Sequence, residues 1–175
     1  MKLIVTMAHI QLLVQTLKQA GRCETGGVLV AEHVGDDTFR LADLSVQATC
    51  GSTTHFVRDP AEHRAFLDAF FDRTGHNYAR YNYFGEWHSH TIVPPIPSTE
   101  DCDTMDRIVR DPNTRATFSV LLVARLGMWR TLAISATAFR DGHAPDPVDV
   151  LDEDGRIHPK IRHLRIGRRR RLIAI

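Results

Sequence analysis

Very little in this chain suggests cysteine chemistry. Its 175 residues contain three cysteines, Cys23, Cys50 and Cys102, and none forms a CxxC pair. An odd, scattered set argues against a disulfide framework or a thiolate metal cluster, and reduced thiols in a cytoplasm are the simplest expectation. Charge of one sign is also missing. The formal net charge is +1, so no global field draws the protein to nucleic acid or to an anionic membrane. No uncharged run reaches the roughly 18 residues that a spanning helix needs, and the apolar stretch at the start is too short for a signal peptide. Internal repeats are absent as well. Neither the length nor the composition (43% apolar, 25% charged) calls for more than one domain around one core. The outlier is histidine, with ten copies.

Periodicity predicts the elements. Ile10, Leu13, Val14 and Leu17 have helical spacing within 4–20, and Gly21 stops that helix. The β-rich run 28–31 and the stretch 38–49 flank Asp36-Asp37 and read as a hairpin. Asp59-Pro60 opens a helix over 61–74, with Phe66, Leu67, Phe70 and Phe71 inward. A strand over 81–87 leads to a stiff loop bearing Pro94, Pro95 and Pro97, and a helix follows over 98–110. The uncharged run 118–124 reads as a buried central strand, with an antiparallel partner over 129–139. Residues 141–159, rich in Asp, Pro and Gly, read as an exposed loop. The tail carries Arg168 to Arg171, read as a solvated terminus or a last docked strand. The expected fold is α/β, a single mixed β-sheet domain with flanking helices.

Chemistry concentrates in Glu86-Trp87-His88-Ser89-His90, followed seven residues later by Ser98-Thr99-Glu100-Asp101. On a strand, residues i and i+2 share a face, so His88 and His90 can reach one point while Trp87 turns to the core. The proline loop folds the chain back, which brings Asp101 at a helix N-terminus to the strand end. Two imidazoles and a carboxylate with an open fourth position make a catalytic zinc set. Ser98 with Asp101 also reads as a helix cap, a variant of the capping box. Glu24, before the close-packing Thr25-Gly26-Gly27, is the candidate general base. Ser98 is the candidate donor to a developing oxyanion. Glu86 reads as a supporting group or a surface charge, and Cys102 as a small buried apolar side chain. The other histidines, His63 among them, form no cluster and read as surface or capping residues.

Glu24-Thr25-Gly26-Gly27 with His88-x-His90-x7-Ser98-x-x-Asp101 resembles the signature of the JAMM/MPN+ zinc metalloprotease family, and the element order over roughly residues 3–139 resembles its fold. The resemblance implies a JAB1/MPN-like, cytidine-deaminase-like architecture, with the peptidase domain over 1–140 and the C-terminal loop and basic tail, 141–175, packed on it. It implies His88, His90 and Asp101 as Zn²⁺ ligands, Glu24 as acid/base and Ser98 as oxyanion partner. Members cleave peptide or isopeptide bonds at the C-terminus of ubiquitin or ubiquitin-like proteins. The Gly85-Glu86-Trp87-His88 lead-in is similar to bacterial members, among them deubiquitinase-like peptidases of antiphage conjugation operons and peptidases that trim ubiquitin-like sulfur carriers. The partners so implied are a ubiquitin-like protein or its conjugates and E1- and E2-like proteins, with no membrane and no nucleic acid. A substrate tail is expected to lie extended, pairing with a sheet edge. The other readings are a fold that kept its shape and lost turnover, and a DNA-associated protein similar to RadC. Thr91 stands where many family members carry proline after the second histidine.

Overall fold

A computed structural model describes residues 1–49, 51–114, 116–127 and 131–156. Among the described residues, the strands are β1 (Lys2–Ile4), β2 (Gly26–Gly35), β3 (Thr38–Leu44), β4 (Tyr81–Ser89), β5 (Ser119–Leu126), β6 (Leu132–Phe139), β7 (Asp146–Pro147) and β8 (Asp149–Leu151). They form one eight-stranded sheet in the order β7-β6-β5-β4-β2-β3-β1-β8. The helices are α1 (Met7–Ala20), α2 (Pro60–Arg73) and α3 (Thr99–Arg110). β4 runs parallel to β5, and β1 runs parallel to β3 and β8, while the remaining pairs are antiparallel. The expected mixed α/β sheet and the β2–β3 hairpin are both present.

Each helix starts where a side chain can accept an orphan amide. Thr6 caps α1, Asp59 caps α2 with Pro60 behind it, and Ser98 caps α3 in a full capping box with Asp101. α1 lays Ile10, Leu13 and Leu17 on one side of the sheet, among Leu3, Leu29, Leu41, Trp87 and Leu122. α3 covers part of the other side, where Met105 and Val109 meet Leu121, Val123 and Phe139. Cys102 packs against that second cluster. Because Leu121 and Leu122 alternate between the two, β5 is buried on both faces, as its uncharged sequence implies.

Several boundaries differ from the sequence reading: β2 spans Gly26–Gly35 rather than 28–31, and β3 ends at Leu44 rather than at 49. The first helix begins at Met7, because Lys2–Ile4 is a strand between β3 and β8. The stretch expected as an exposed loop contains β7 and β8, and buries Val148 and Val150. Arg168 to Arg171 lie outside the described residues. β4 sits inside the sheet with β2 and β5 on its flanks.

β4 carries a bulge opposite Leu29 and Val30. At Gly85 a Cβ would fall 1.9 Å from the Val120 carbonyl oxygen, so only glycine permits this approach of β5. β4 then holds the register that aims its C-terminal end at the site.

Candidate metal centre

β4 pairs with β2 so that Gly26 faces His88. The pairing continues past the strand ends. The Ser89 N–H donates to the Thr25 carbonyl at 2.8 Å, and the Ser89 hydroxyl accepts the Thr25 N–H at 3.0 Å. Extended by one residue, that register sets Glu24 across from His90. A Cβ on Gly26 would lie 2.3 Å from the Trp87 carbonyl oxygen and 2.9 Å from the His88 Cβ, which is why this position carries no side chain. On the other flank the His90 N–H donates to the Ala124 carbonyl of β5 at 2.9 Å.

His88 and His90 project to one side, while Trp87 turns into the core and donates its Nε1–H to the Ser45 carbonyl at 2.8 Å. The two Nε2 atoms lie 3.2 Å apart. Asp101 Oδ1 is 3.5 Å from His88 Nε2, and Asp101 Oδ2 is 3.6 Å from His90 Nε2. One ligand atom from each of these three residues lies within 4.8 Å of the others, the one such group of His, Cys, Asp or Glu among the described residues. Bonds of about 2.0–2.1 Å to a tetrahedral ion put neighbouring ligand atoms about 3.3 Å apart. The donor set and its spacings therefore fit a divalent ion with little movement.

Neighbouring groups orient two of the three candidate ligands. His90 donates Nδ1–H to the Pro94 carbonyl at 2.8 Å, so that in the neutral ring the Nε2 lone pair faces the site. Asp101 is the N3 residue of α3: its Oδ2 accepts the Ser98 N–H and the Ser98 hydroxyl, both at 2.7 Å. The capping box thus also holds the carboxylate still. Burial pushes the Asp101 carboxyl up, but hydrogen bonds from His88 and His90 outweigh it and hold the group well below the ordinary range. Burial pulls His90 down, yet bonding to Asp101 and Pro94 leaves it above its usual value.

Glu24 is 5% exposed and is not part of the three-residue group. Burial raises its pKa above the ordinary carboxyl value, opposed by the fields of His90 and His88. It sits close enough to feel both imidazoles while staying off the ligand position. Its backbone is gripped by the loop between β3 and α2: the Glu24 N–H donates to the Ser52 carbonyl at 2.8 Å, and the Gly51 N–H donates to the Glu24 carbonyl at 2.7 Å.

All five residues picked out by the sequence converge on one end of β4. Some of their supports had no local signal. Phe56 sets its ring 6.4 Å from that of His88. The Thr91 hydroxyl, which a proline could not supply, donates to the Thr53 carbonyl at 2.6 Å and joins two loops beside the site. Glu86 is a buried group paired with Arg58. His63 departs from its reading as a surface residue: it is buried between Ser45 and Gln47. Ser89 did have a signal, since it is the one residue between the two histidines.

No helix among the described residues is long and apolar enough to cross a membrane. Comparison with known proteins agrees with the geometry. The solution structure of protein DSY2949 from Desulfitobacterium hafniense superposes with a TM-score of 0.64 at 19% identity, over 92% of this chain and 99% of that one. A relative from Enterobacter hormaechei subsp. hoffmannii (strain UCI 50), named a CD-NTase/cGAS isopeptidase, is 27% identical over 150 residues, 82% of this chain and 78% of the relative. The model of the prokaryotic homologues of the JAB domain matches residues 6–139, a span from the α1 cap to the end of β6 that encloses every residue of the centre. By that match, this chain belongs to the prokaryotic JAB-domain family.

Proposed function

We propose that the chain is a zinc-dependent isopeptidase that cuts after the C-terminus of a ubiquitin-like protein. The observation that carries this reading is the convergence of two imidazole nitrogens and a carboxylate at 3.2–3.6 Å from one another. Buried Glu24 stands beside that group without joining it. His88, His90 and Asp101 would hold the ion. Bound there, Zn²⁺ supplies a Lewis acid for the scissile carbonyl and lowers the pKa of a water molecule toward about 7.

The remaining work falls to the chain's own groups. Glu24, its pKa raised by burial, takes the proton that the attacking water sheds and hands it to the departing amine. The Ser98 hydroxyl, which donates to Asp101 before substrate arrives, turns to the carbonyl oxygen as charge gathers there. Pro94 keeps His90 in one tautomer throughout. The isopeptide bond as target is supported by the name of the Enterobacter relative. E1- and E2-like proteins are the partners that would make such a conjugate.

The test pairs metal analysis with cleavage of a ubiquitin-like protein joined to its target by an isopeptide bond or by a linear fusion. One zinc per chain is expected, with cleavage abolished by a chelator. Glu24→Gln retains the metal and lowers the rate by about 10²–10⁴-fold. His90→Ala loses both metal and activity. Cleavage that survives the chelator and Glu24→Gln unchanged overturns the proposal. Cutting of the linear fusion alone would redirect it to trimming of a precursor or sulfur carrier.

A further inference from the structure

The reaction as derived leaves one buried ion pair unused. Glu86 lies on β4 two residues before His88, between Val28 of β2 and Leu121 of β5. Its side chain is 12% exposed, and Arg58 Nε meets its Oε1 at 2.5 Å. A carboxylate at such a depth is costly unless paired, and a buried ion pair is often no more stabilising than two apolar residues of the same shape. Stability alone is therefore a weak reason for it.

Arg58 closes the loop that runs from Ser45 to the α2 cap at Asp59. Gln47 binds the two ends of that loop to each other, through the Val57 carbonyl at 3.2 Å and the Asp59 N–H at 2.6 Å. Among the described residues, Arg58–Glu86 is the ion pair that fastens the loop to β4, the strand of His88 and His90. The same loop holds Glu24 at both its N–H and its carbonyl, sets Phe56 beside His88, and receives Thr91 at Thr53. The loop thus reaches the acid/base residue, a metal ligand and the strap after His90 at once.

We propose that Arg58 and Glu86 are positioning residues: their ion pair pins the loop 45–58 to β4 and so sets the Glu24 backbone, and with it the carboxyl, relative to His88 and His90. The inference rests on the proposed role of Glu24. Neither residue touches the reacting atoms. Both act through Ser52, Gly51 and Phe56.

The test uses Glu86→Gln, Arg58→Gln and Arg58→Lys in the full chain. Amide hydrogen exchange is measured on metal-free protein, together with zinc content, kcat and KM. In Arg58→Gln and Glu86→Gln, the Glu24 and Gly51 amides should exchange about 10-fold faster or more, while those of β5 keep their protection. Zinc content should stay at the wild-type value. On an isopeptide-linked ubiquitin-like substrate, kcat should fall about 10–100-fold with little change in KM, as misplacement of a catalytic group predicts. Arg58→Lys should recover much of both. Unchanged protection at Glu24 and Gly51 overturns the inference. Protection lost equally across β5 does so too, since the pair would then only support the fold. If wild-type protein cleaves nothing, the proposed function falls, and the exchange measurement still decides whether the pair holds the loop.

Discussion

His63, at 1% exposure, is the most buried imidazole among the described residues. Gln47 Oε1 can only accept, so His63 Nε2 carries the proton and donates to it at 3.3 Å. Nδ1 is then bare and accepts the Ser45 hydroxyl at 2.8 Å. Burial lowers the His63 pKa, with a further push from the Arg58 charge. The sign of the pH effect follows. The unfolded chain gains a proton on this group as pH falls through about 6.5, and the folded chain resists it, so stability present above that pH drains away below it. Melting of chelator-treated wild type should fall between pH 7.5 and pH 5, and His63→Gln should fall less steeply. Parallel curves for the two proteins would assign the pH loss elsewhere. The sequence reading missed this histidine because it lies on a helix whose apolar stripe is weak, and its partners sit 16 and 18 residues away. His88, His90, Ser98 and Asp101 were legible because their spacing itself encodes geometry, whereas Glu24 was picked out by the family signature it resembles. Arg58 was not legible, since nothing near it in the chain identifies Glu86 as its partner.

The elements most open to misreading are the shortest. β1 and β8 have three residues each, below the length at which alternation separates strand from helix. They exist because they pair with each other, Leu3 against Val150, and because β1 also lies beside β3. Leu3 is fully buried there beneath α1. Leu3→Ala should cost about 2–5 kcal/mol and lower the melting temperature by roughly 5–15 °C. Val34→Ala, at an exposed position of β2, should change stability by no more than about 0.5 kcal/mol. Equal effects in calorimetry would show that the short strand is not part of the cooperative fold. α1, α3 and β5 were read nearly to their ends, because the two helices present an apolar stripe and a cap, and β5 is buried on both faces.

At the scale of the molecule, the proposed metal centre joins a strand to a helix that begins ten residues beyond it, across the proline loop. An ion held by both ends binds the folded chain and not the unfolded one, so it adds to stability by mass action. Zinc at about 100 times its dissociation constant should contribute about 2.7 kcal/mol. The melting temperature of wild type should therefore climb with zinc concentration, and that of His90→Ala should stay flat. A matching rise in the variant would place the binding outside the three proposed ligands.

What the order of residues decided by itself is local. The i and i+2 imidazoles share a strand face, the capping box turns Asp101 inward, and the paired glycines of β2 admit a close neighbour. What only the tertiary structure decided is how distant segments meet: the β2–β4 register that sets Glu24 across from His90, the placing of β1 between β3 and β8, and the loop that Arg58 ties to Glu86. The physical reason is that spacing dictates the direction of side chains within one element, whereas register and loop docking are chosen by burial summed over many partners, and no single stretch of chain carries that sum.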